Sequence, residues 1–374
     1  MKKLFLILLS IAMLTTLIVV PAEEVIKIGG IGVLTGPYAT YGVAVKNGAD
    51  LFFEELNNAG GIDGKKVEII WVDSQGDPAI GQQAYYRLVE NDEVVAILGA
   101  VLTGVTNAVA DAAAEDGIPM VSPSATAYEV TTGRPNVFRT CFIDPFQSVM
   151  IARYMKSKDY KNVAALYDTG DDYSTGLYET FVNECKELGL NIVATEAAAF
   201  ADVDFKAQLT NIKNANPEAL FLPYYGAPAA HIVKQADEIG LDIPFIGADG
   251  ISSITDSITD FSLLTNVIYS DHFNNDAAGE VAVKFLKGYE EKYGEVPTVS
   301  FSATAYDTAL VLTEAIKKAG TEDYAAMVDA IKNMEVEGVT GIITFDDHND
   351  PIKSAFFTTF DADGNKVFLE RVDP

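Results

Sequence analysis

Apolar runs of strand length, each bounded by turn residues, alternate along this chain with amphipathic segments of helical period, and the alternation is carried through twice. The first series has strand-like runs at Ile26–Leu34, Val67–Val72, Val94–Leu98 and Ile118–Val121, separated by helical patterns at Gly42–Asn57, Ala79–Glu90 and Gly104–Glu115. Ala49, Phe52, Phe53 and Leu56 keep helical spacing, and Asp77-Pro78 reads as an N-cap followed by proline at the first helical position. The second series has strands at Val163–Tyr167, Ile192–Glu196, Ala219–Leu222 and Phe245–Ile246, with helices at Phe146–Lys156, Gly176–Leu188, Phe205–Ala215 and Pro228–Ile239. Such an order implies parallel sheets covered by helices on both faces, and two series imply two lobes. Beyond them lie helical patterns at Ala278–Tyr293 and Ser302–Ala319, an extended stretch at Gly341–Phe345, and a hairpin in "AFFTTFDADGNKVFLE" turning at Asp363-Gly364. A chain of 374 residues suits two lobes of roughly 150 residues each. No linker rich in Gly, Ser or Pro separates them, and the short gap near Thr140–Pro145 fits lobes joined by crossing segments, as a hinge requires.

Acidic residues outnumber basic ones 54 to 26, which argues against nucleic acid or an anionic membrane surface as partner. Residues 1–22 differ from the rest: Lys2 and Lys3 precede the apolar run Leu4–Val20, and Val20-Pro21-Ala22 places small residues where a signal peptidase cuts. The expectation is a signal peptide cleaved after Ala22, with no cysteine nearby for a lipid anchor and no later apolar run of spanning length. A soluble protein, periplasmic or extracellular, follows. Two cysteines, Cys141 and Cys185, permit a disulfide in an exported protein, yet their apolar and helical contexts suit buried free thiols equally.

In open parallel sheets ligands bind beyond the carboxyl ends of the strands, and those ends carry the polar residues here. After Ile26–Leu34 comes "TGPYATYG", with Tyr38 and Tyr41; after Val94–Leu98 comes "GAVLTGVT", with Thr103 opening a helix. After Ile118–Val121 comes "SPSATAY", with Ser122, Ser124 and Thr126. In the second series Tyr224 and Tyr225 follow one strand and Asp249 follows another. Thr103 reads as an N-cap whose helix turn favours an anion, with Ser124 and Thr126 adding donors. Asp249 offers a negative charge from the opposite lobe. An anion site facing a carboxylate matches a free α-amino acid, with aromatic rings covering an apolar side chain. Each residue also has a plainer reading: a simple cap for Thr103, turn formers for Ser124, Thr126 and Asp249, a core ring for Tyr225.

The stretches "IGVLTGPYATYG", "NNAGGIDGKKVEI", "DSQGDP", "GIPMVSPSAT", "VFRTCFIDPFQS", "FLPYY", "IGADG" and "GVTGIITFD" together resemble the type I periplasmic binding proteins of the leucine/isoleucine/valine class, which serve ABC importers. The resemblance covers nearly the whole mature chain. It implies an α/β fold of two Rossmann-like lobes joined by a three-segment hinge, with lobe 1 at 23–143 and 272–355 and lobe 2 at 144–271 and 356–374. By that resemblance Thr103 holds the ligand carboxylate, and Thr126 meets both carboxylate and ammonium. Ser124 lends its backbone carbonyl to the ammonium, and Asp249 pairs with the ammonium from lobe 2. Tyr225 and Tyr173 line the cleft, Tyr41 covers the side chain, and Val101, Leu102 and Phe301 form its pocket. It also implies a monomer that needs no cofactor and delivers a free amino acid, of the branched-chain class, to the permease subunits of an importer, or alternatively a ligand-binding module for another small amino acid, amide or related solute that feeds a sensory receptor. Some members carry a disulfide at positions that here are Gly76 and Leu102, so that staple is missing.

Catalysis would need an activated nucleophile, a metal or a cofactor cradle. His231, His272 and His348 share no ligand spacing with one another or with the cysteines, and no phosphate-binding G-x-x-x-x-G-K-[ST] motif is present. "GGIG" at 29–32 falls short of a dinucleotide fingerprint, and "DDHND" at 346–350 lacks calcium-loop spacing and reads as a solvated turn.

Overall fold

The first of two sheets consists of β1 (Val25–Gly32), β2 (Lys66–Asp73), β3 (Ile97–Gly99), β4 (Met120–Ser122) and β5 (Val137–Arg139), all parallel in the order β2-β1-β3-β4-β5. The computed structural model describes residues 24–199, 202–275 and 279–374, so the expected signal peptide lies outside the described residues. The second sheet is built on β6 (Asn162–Asp168), β7 (Asn191–Ala198), β8 (Ala219–Leu222), β9 (Phe245–Gly247) and β10 (Val267–Asp271), parallel in the order β10-β9-β8-β6-β7. Short strands β11 (Val336–Gly338) and β12 (Gly341–Ile343) pair only with each other. The hairpin β13 (Ala355–Phe360) and β14 (Lys366–Val372) then adds antiparallel to β10.

Helices α1 (Ala39–Asn58), α2 (Pro78–Glu90) and α3 (Thr103–Asp116) connect the strands of the first sheet. In the second, α4 (Asp144–Ser157) leads in, and α5 (Asp172–Leu188), α6 (Lys206–Ala215) and α7 (Gly226–Glu238) connect. The chain then returns to the first sheet as α8 (Glu280–Tyr293), α9 (Phe301–Ala319) and α10 (Tyr324–Lys332). Alternation along the strands explains why 163–166 of β6 and all of β8 are apolar without a break. Ala164 and Leu166 of β6 and Leu220 and Leu222 of β8 pack with α6 and α7. Their neighbours Val163, Ala165, Ala219 and Phe221 pack on the other face with α4 and α5. Both faces are covered there, so consecutive positions of these central strands are apolar. On the first sheet α1 lies so close to α9 that a Cβ at Gly48 would sit 1.9 Å from the Ser302 carbonyl oxygen. Only glycine fits there.

The chain crosses between the sheets three times: from Arg139 to Asp144, beyond Asp271, and between Ile343 and Ala355. Strands β5 and β10 and helix α10 have no counterpart in the sequence reading, because three to five residues, or nine, give a period too few repeats to register. Both cysteines are buried and free. The "DDHND" turn is not a solvated one: Asp350 is buried against Arg139 at 2.7 Å, and Asn349 is buried with its amide on the carbonyls of Arg134, Pro135 and Val137.

Candidate ligand-binding site

Nine of the ten residues expected at the site are buried, and Tyr225 is half-buried. They arrive from strand ends on both sheets. After β3, Val101 and Leu102 lead into α3; the N-cap is Leu102, not Thr103, and no side chain caps this helix. Thr103 is instead its first residue, beside the free N–H groups of the opening turn, with a hydroxyl that finds no partner among the described residues. After β4, Ser122 donates to the Ala100 carbonyl at 3.1 Å and accepts from the Ala125 N–H, while Ser124 donates to the Val101 carbonyl at 2.9 Å. Those two hydroxyls tie neighbouring strand-end loops together, so Ser124 contributes no donor to the cleft. The Thr126 hydroxyl is buried without a well-formed hydrogen bond, beside the Asp144 carboxyl. The loop that carries Thr126 is held by Arg139, whose Nη1 donates to the Ala125 and Ala127 carbonyls at 3.0 and 2.7 Å.

Across the cleft Asp249, 2% exposed, follows β9. Its Oδ1 accepts from the Tyr173 hydroxyl at 2.8 Å and from Gln147 Nε2 at 3.1 Å, and its Oδ2 lies 2.9 Å from His272 Nε2. A carboxylate only accepts, so His272 Nε2 donates and its buried Nδ1 is left without a partner. A carboxylate offers about four lone-pair positions, and three are taken. One remains, on Oδ2. The next residue, Gly250, donates its N–H to the Tyr173 hydroxyl at 2.8 Å, and a Cβ there would meet that oxygen at 2.7 Å. A chain of polar contacts joins the two sides: Asp144 N–H donates to the Thr126 carbonyl at 2.8 Å, and Gln147 Nε2 donates to Asp144 Oδ1 at 2.7 Å as well as to Asp249. Burial, reinforced by the Asp249 charge, holds the Asp144 carboxyl well above its ordinary range.

Aromatic rings fill the space between. Tyr225 stacks on Tyr173 at 4.8 Å and meets Tyr41 at 5.7 Å; Tyr41 meets Phe301 at 5.7 Å, and Phe301 meets His272 at 5.7 Å. Tyr41 also bridges the lobes. From α1 its hydroxyl donates to the Gly250 carbonyl at 2.5 Å and accepts from the Gly226 N–H at 2.8 Å and from Ser253 Oγ at 2.7 Å. Thr40 reaches Asp256 at 2.6 Å beside it. The lobes are closed on each other.

Gln147, His272 and Asp144 escaped the sequence reading. His272 was weighed only as a metal ligand, and Gln147 and Asp144 lie on a helix rather than at a strand's carboxyl end. The signal that could have found Asp144 and Gln147 is their spacing of three on the opening turn of α4, which puts both on one face.

Two lobes that close over converging polar groups, with rings between, define a solute-binding clamp of the doubly wound α/β type. The chain belongs to the periplasmic binding protein family, which it matches over residues 25–365. Among its relatives is the Leu/Ile/Val-binding protein homolog 3 of Brucella melitensis, 33% identical over 351 residues that cover 91% of this chain and 92% of the relative. Among solved structures, the branched-chain amino acid transporter substrate-binding protein LivJ of Streptococcus pneumoniae, in complex with isoleucine, superposes with a TM-score of 0.87 at 33% identity, covering 94% of this chain and all of that one. The leucine-binding protein LivK of Thermotoga maritima gives a TM-score of 0.87 at 31% identity, covering 93% and 99%.

Proposed function

We propose that this protein is the extracytoplasmic binding component of an ABC importer and captures a free branched-chain amino acid between its lobes. The observation that carries the reading is the polarity of the cleft. Asp249 keeps one open acceptor position on lobe 2. Facing it are the opening turn of α3 and the hydroxyls of Thr103 and Thr126. An ammonium suits the first and a carboxylate the second. Val101 and Leu102, with Tyr41, Tyr173, Tyr225 and Phe301, supply the apolar surface for the side chain, and the Ser124 backbone carbonyl is a further acceptor for the ammonium. The isoleucine-bound and leucine-binding relatives support the same class of ligand.

Because both lobes contribute, ligand favours the closed state by its differential affinity. Lobe 1 comprises 23–143 and 272–355, lobe 2 comprises 144–271 and 356–374, and the loaded monomer docks on permease subunits. Export by the leader at 1–22 puts it outside the cytoplasm, and no helix among the described residues is long and apolar enough to cross a membrane. Calorimetric titration of refolded, ligand-stripped protein should show submillimolar binding of leucine, isoleucine or valine. Binding of a sugar or a nucleotide with none of these would overturn the reading. Small-angle scattering should give a smaller radius of gyration at saturation.

A further inference from the structure

Beyond the aromatic rings the cleft opens into a cavity of about 700 Å³. Pockets of about 300–1,000 Å³ enclose drug-sized molecules, so this one far exceeds what a short aliphatic side chain fills. It begins where the proposed head-group site ends. Leu102 and Tyr225 belong to both, and Tyr225 stacks on the ring whose hydroxyl holds Asp249. Gly76 lies on its lobe 1 side, where a Cβ would come within 3.5 Å of Leu102.

The chemistry of that wall is one-sided. Asp168, Asp171 and Asp202 line it together with Asp77, Asp172 and His231, and no lysine or arginine does. An acidic protein carries carboxylates everywhere, so their number alone means little. Asp168, Asp171 and Asp202 are each held by a local backbone N–H and by no cation. Asp168 accepts from Gly170 at 2.8 Å, Asp171 from Ser174 at 3.2 Å, and Asp202 from Ala199 at 2.8 Å. Each keeps a second oxygen. Burial and then the neighbouring Asp168 charge push the Asp171 carboxyl up to about 7, against the pull of the Ser174 N–H. A separate observation points to a missing occupant. Tyr224, 3% exposed, lines the same cavity with a hydroxyl that is buried and has no partner. A buried unpaired hydroxyl is costly, and a ligand donor that reached it would relieve that cost. No group of three acid, histidine or cysteine side chains among the described residues converges closely enough to hold a metal ion. The geometry therefore suits an organic cation with several N–H donors.

We infer that the cleft also takes α-amino acids whose long side chain ends in a cation, the lysine, ornithine and arginine class, with the terminal ammonium or guanidinium lodged among Asp168, Asp171 and Asp202 beside Tyr224. The inference rests on the amino-acid reading above and extends it to a second class of ligand. The head group stays on Asp249 and α3, the methylenes run past Leu102 and Tyr225, and the charge ends in the acidic chamber. Norleucine has the lysine chain without its terminal nitrogen, which makes it the natural control.

The test is calorimetry on ligand-stripped wild type, the double variant Asp168→Asn/Asp171→Asn, and Tyr224→Phe, with leucine, norleucine, lysine and arginine. Wild type should bind lysine or arginine at least tenfold more tightly than norleucine. The double variant should lose at least tenfold for the cationic ligands and less than twofold for leucine, and Tyr224→Phe should weaken them by a few-fold. Leucine binding reports that each variant is folded, since the asparagines retain the turn-capping oxygens. If wild type binds leucine but neither lysine nor arginine, the inference is wrong and the amino-acid reading stands. Unchanged lysine binding in the double variant, or equal losses for lysine and leucine, also overturns it. If nothing with an α-amino-acid head group binds, the underlying reading fails and this one with it.

Discussion

Tyr41→Phe removes one oxygen and nothing else, and that oxygen makes three bonds that span the lobes: to the Gly250 carbonyl, the Gly226 N–H and Ser253 Oγ. In an open molecule all of these groups face water, so the substitution acts on the closed state. A hydrogen bond contributes about 1 kcal/mol net, which sets a ceiling near 3 kcal/mol for the three together. Ser253 can rotate to another acceptor, whereas the two backbone groups cannot move, so the floor is about 2 kcal/mol. At about 1.4 kcal/mol per decade, affinity for the ligand should fall by about 30- to 140-fold. Calorimetry measures that loss. Thermal unfolding provides the internal check, because the midpoint of ligand-free protein should be unchanged while that of saturated protein falls. If the variant binds within threefold of wild type and still contracts with ligand in scattering, these bonds do not discriminate closed from open and the reasoning fails.

Asp249→Ala should weaken binding of the branched-chain ligand by about 2–5 kcal/mol, as for truncating one partner of a buried charge pair, and Asp249→Asn should also weaken it although the size is kept; wild-type affinity in both would exclude Asp249 as the ammonium partner. Asp144 carries a raised carboxyl, so its proton stays on in the folded state after the unfolded chain has lost it, and stability drains away as pH rises above about 4 toward the folded value, at about 1.4 kcal/mol per unit. Asp144→Asn removes that loss, so its gain in melting temperature should grow from pH 4 to pH 8, and a gain independent of pH would count against the assignment. Arg139→Met strands the buried Asp350 carboxylate and frees the carbonyls on either side of Thr126; urea unfolding should show a loss of about 3–5 kcal/mol, and a loss under 1 kcal/mol would mean the pair is not the buried anchor described.

Period and strand-end logic carried the sequence reading a long way, and its failures have identifiable causes. The helices of the second series were legible because their apolar stripes and the runs between them repeat over many residues. Strand β5 is three residues long and cannot display a period at all. Asp249 was legible because it follows a strand; His272, equally close to the carboxylate, lies on a crossing segment where no pattern marks a ligand-facing position. The Thr103 cap was misplaced by one residue, which matters because the hydroxyl is thereby released from the helix. Ser124 was expected to face the cleft. Its hydroxyl instead holds the Val101 carbonyl, a distinction between loop scaffolding and display that depends on which way a side chain turns.

Strand β10 has β9 on one edge and β13 on the other, and β13 comes from the far side of the whole first-lobe return. Tyr269 of β10 stacks on Phe360 at 5.4 Å, and Phe357 is buried on the opposite face against Tyr154. During synthesis the second sheet therefore has to wait, with an open apolar edge, until α8, α9 and α10 have been made and the chain comes back. Neither lobe exists as one continuous piece, so neither can finish folding first and shelter the other. The long-range closure that completes them is the slow, contact-order-limited kind. A chain truncated before Ala355 is left with the β10 edge exposed for good, an open template for pairing with another chain.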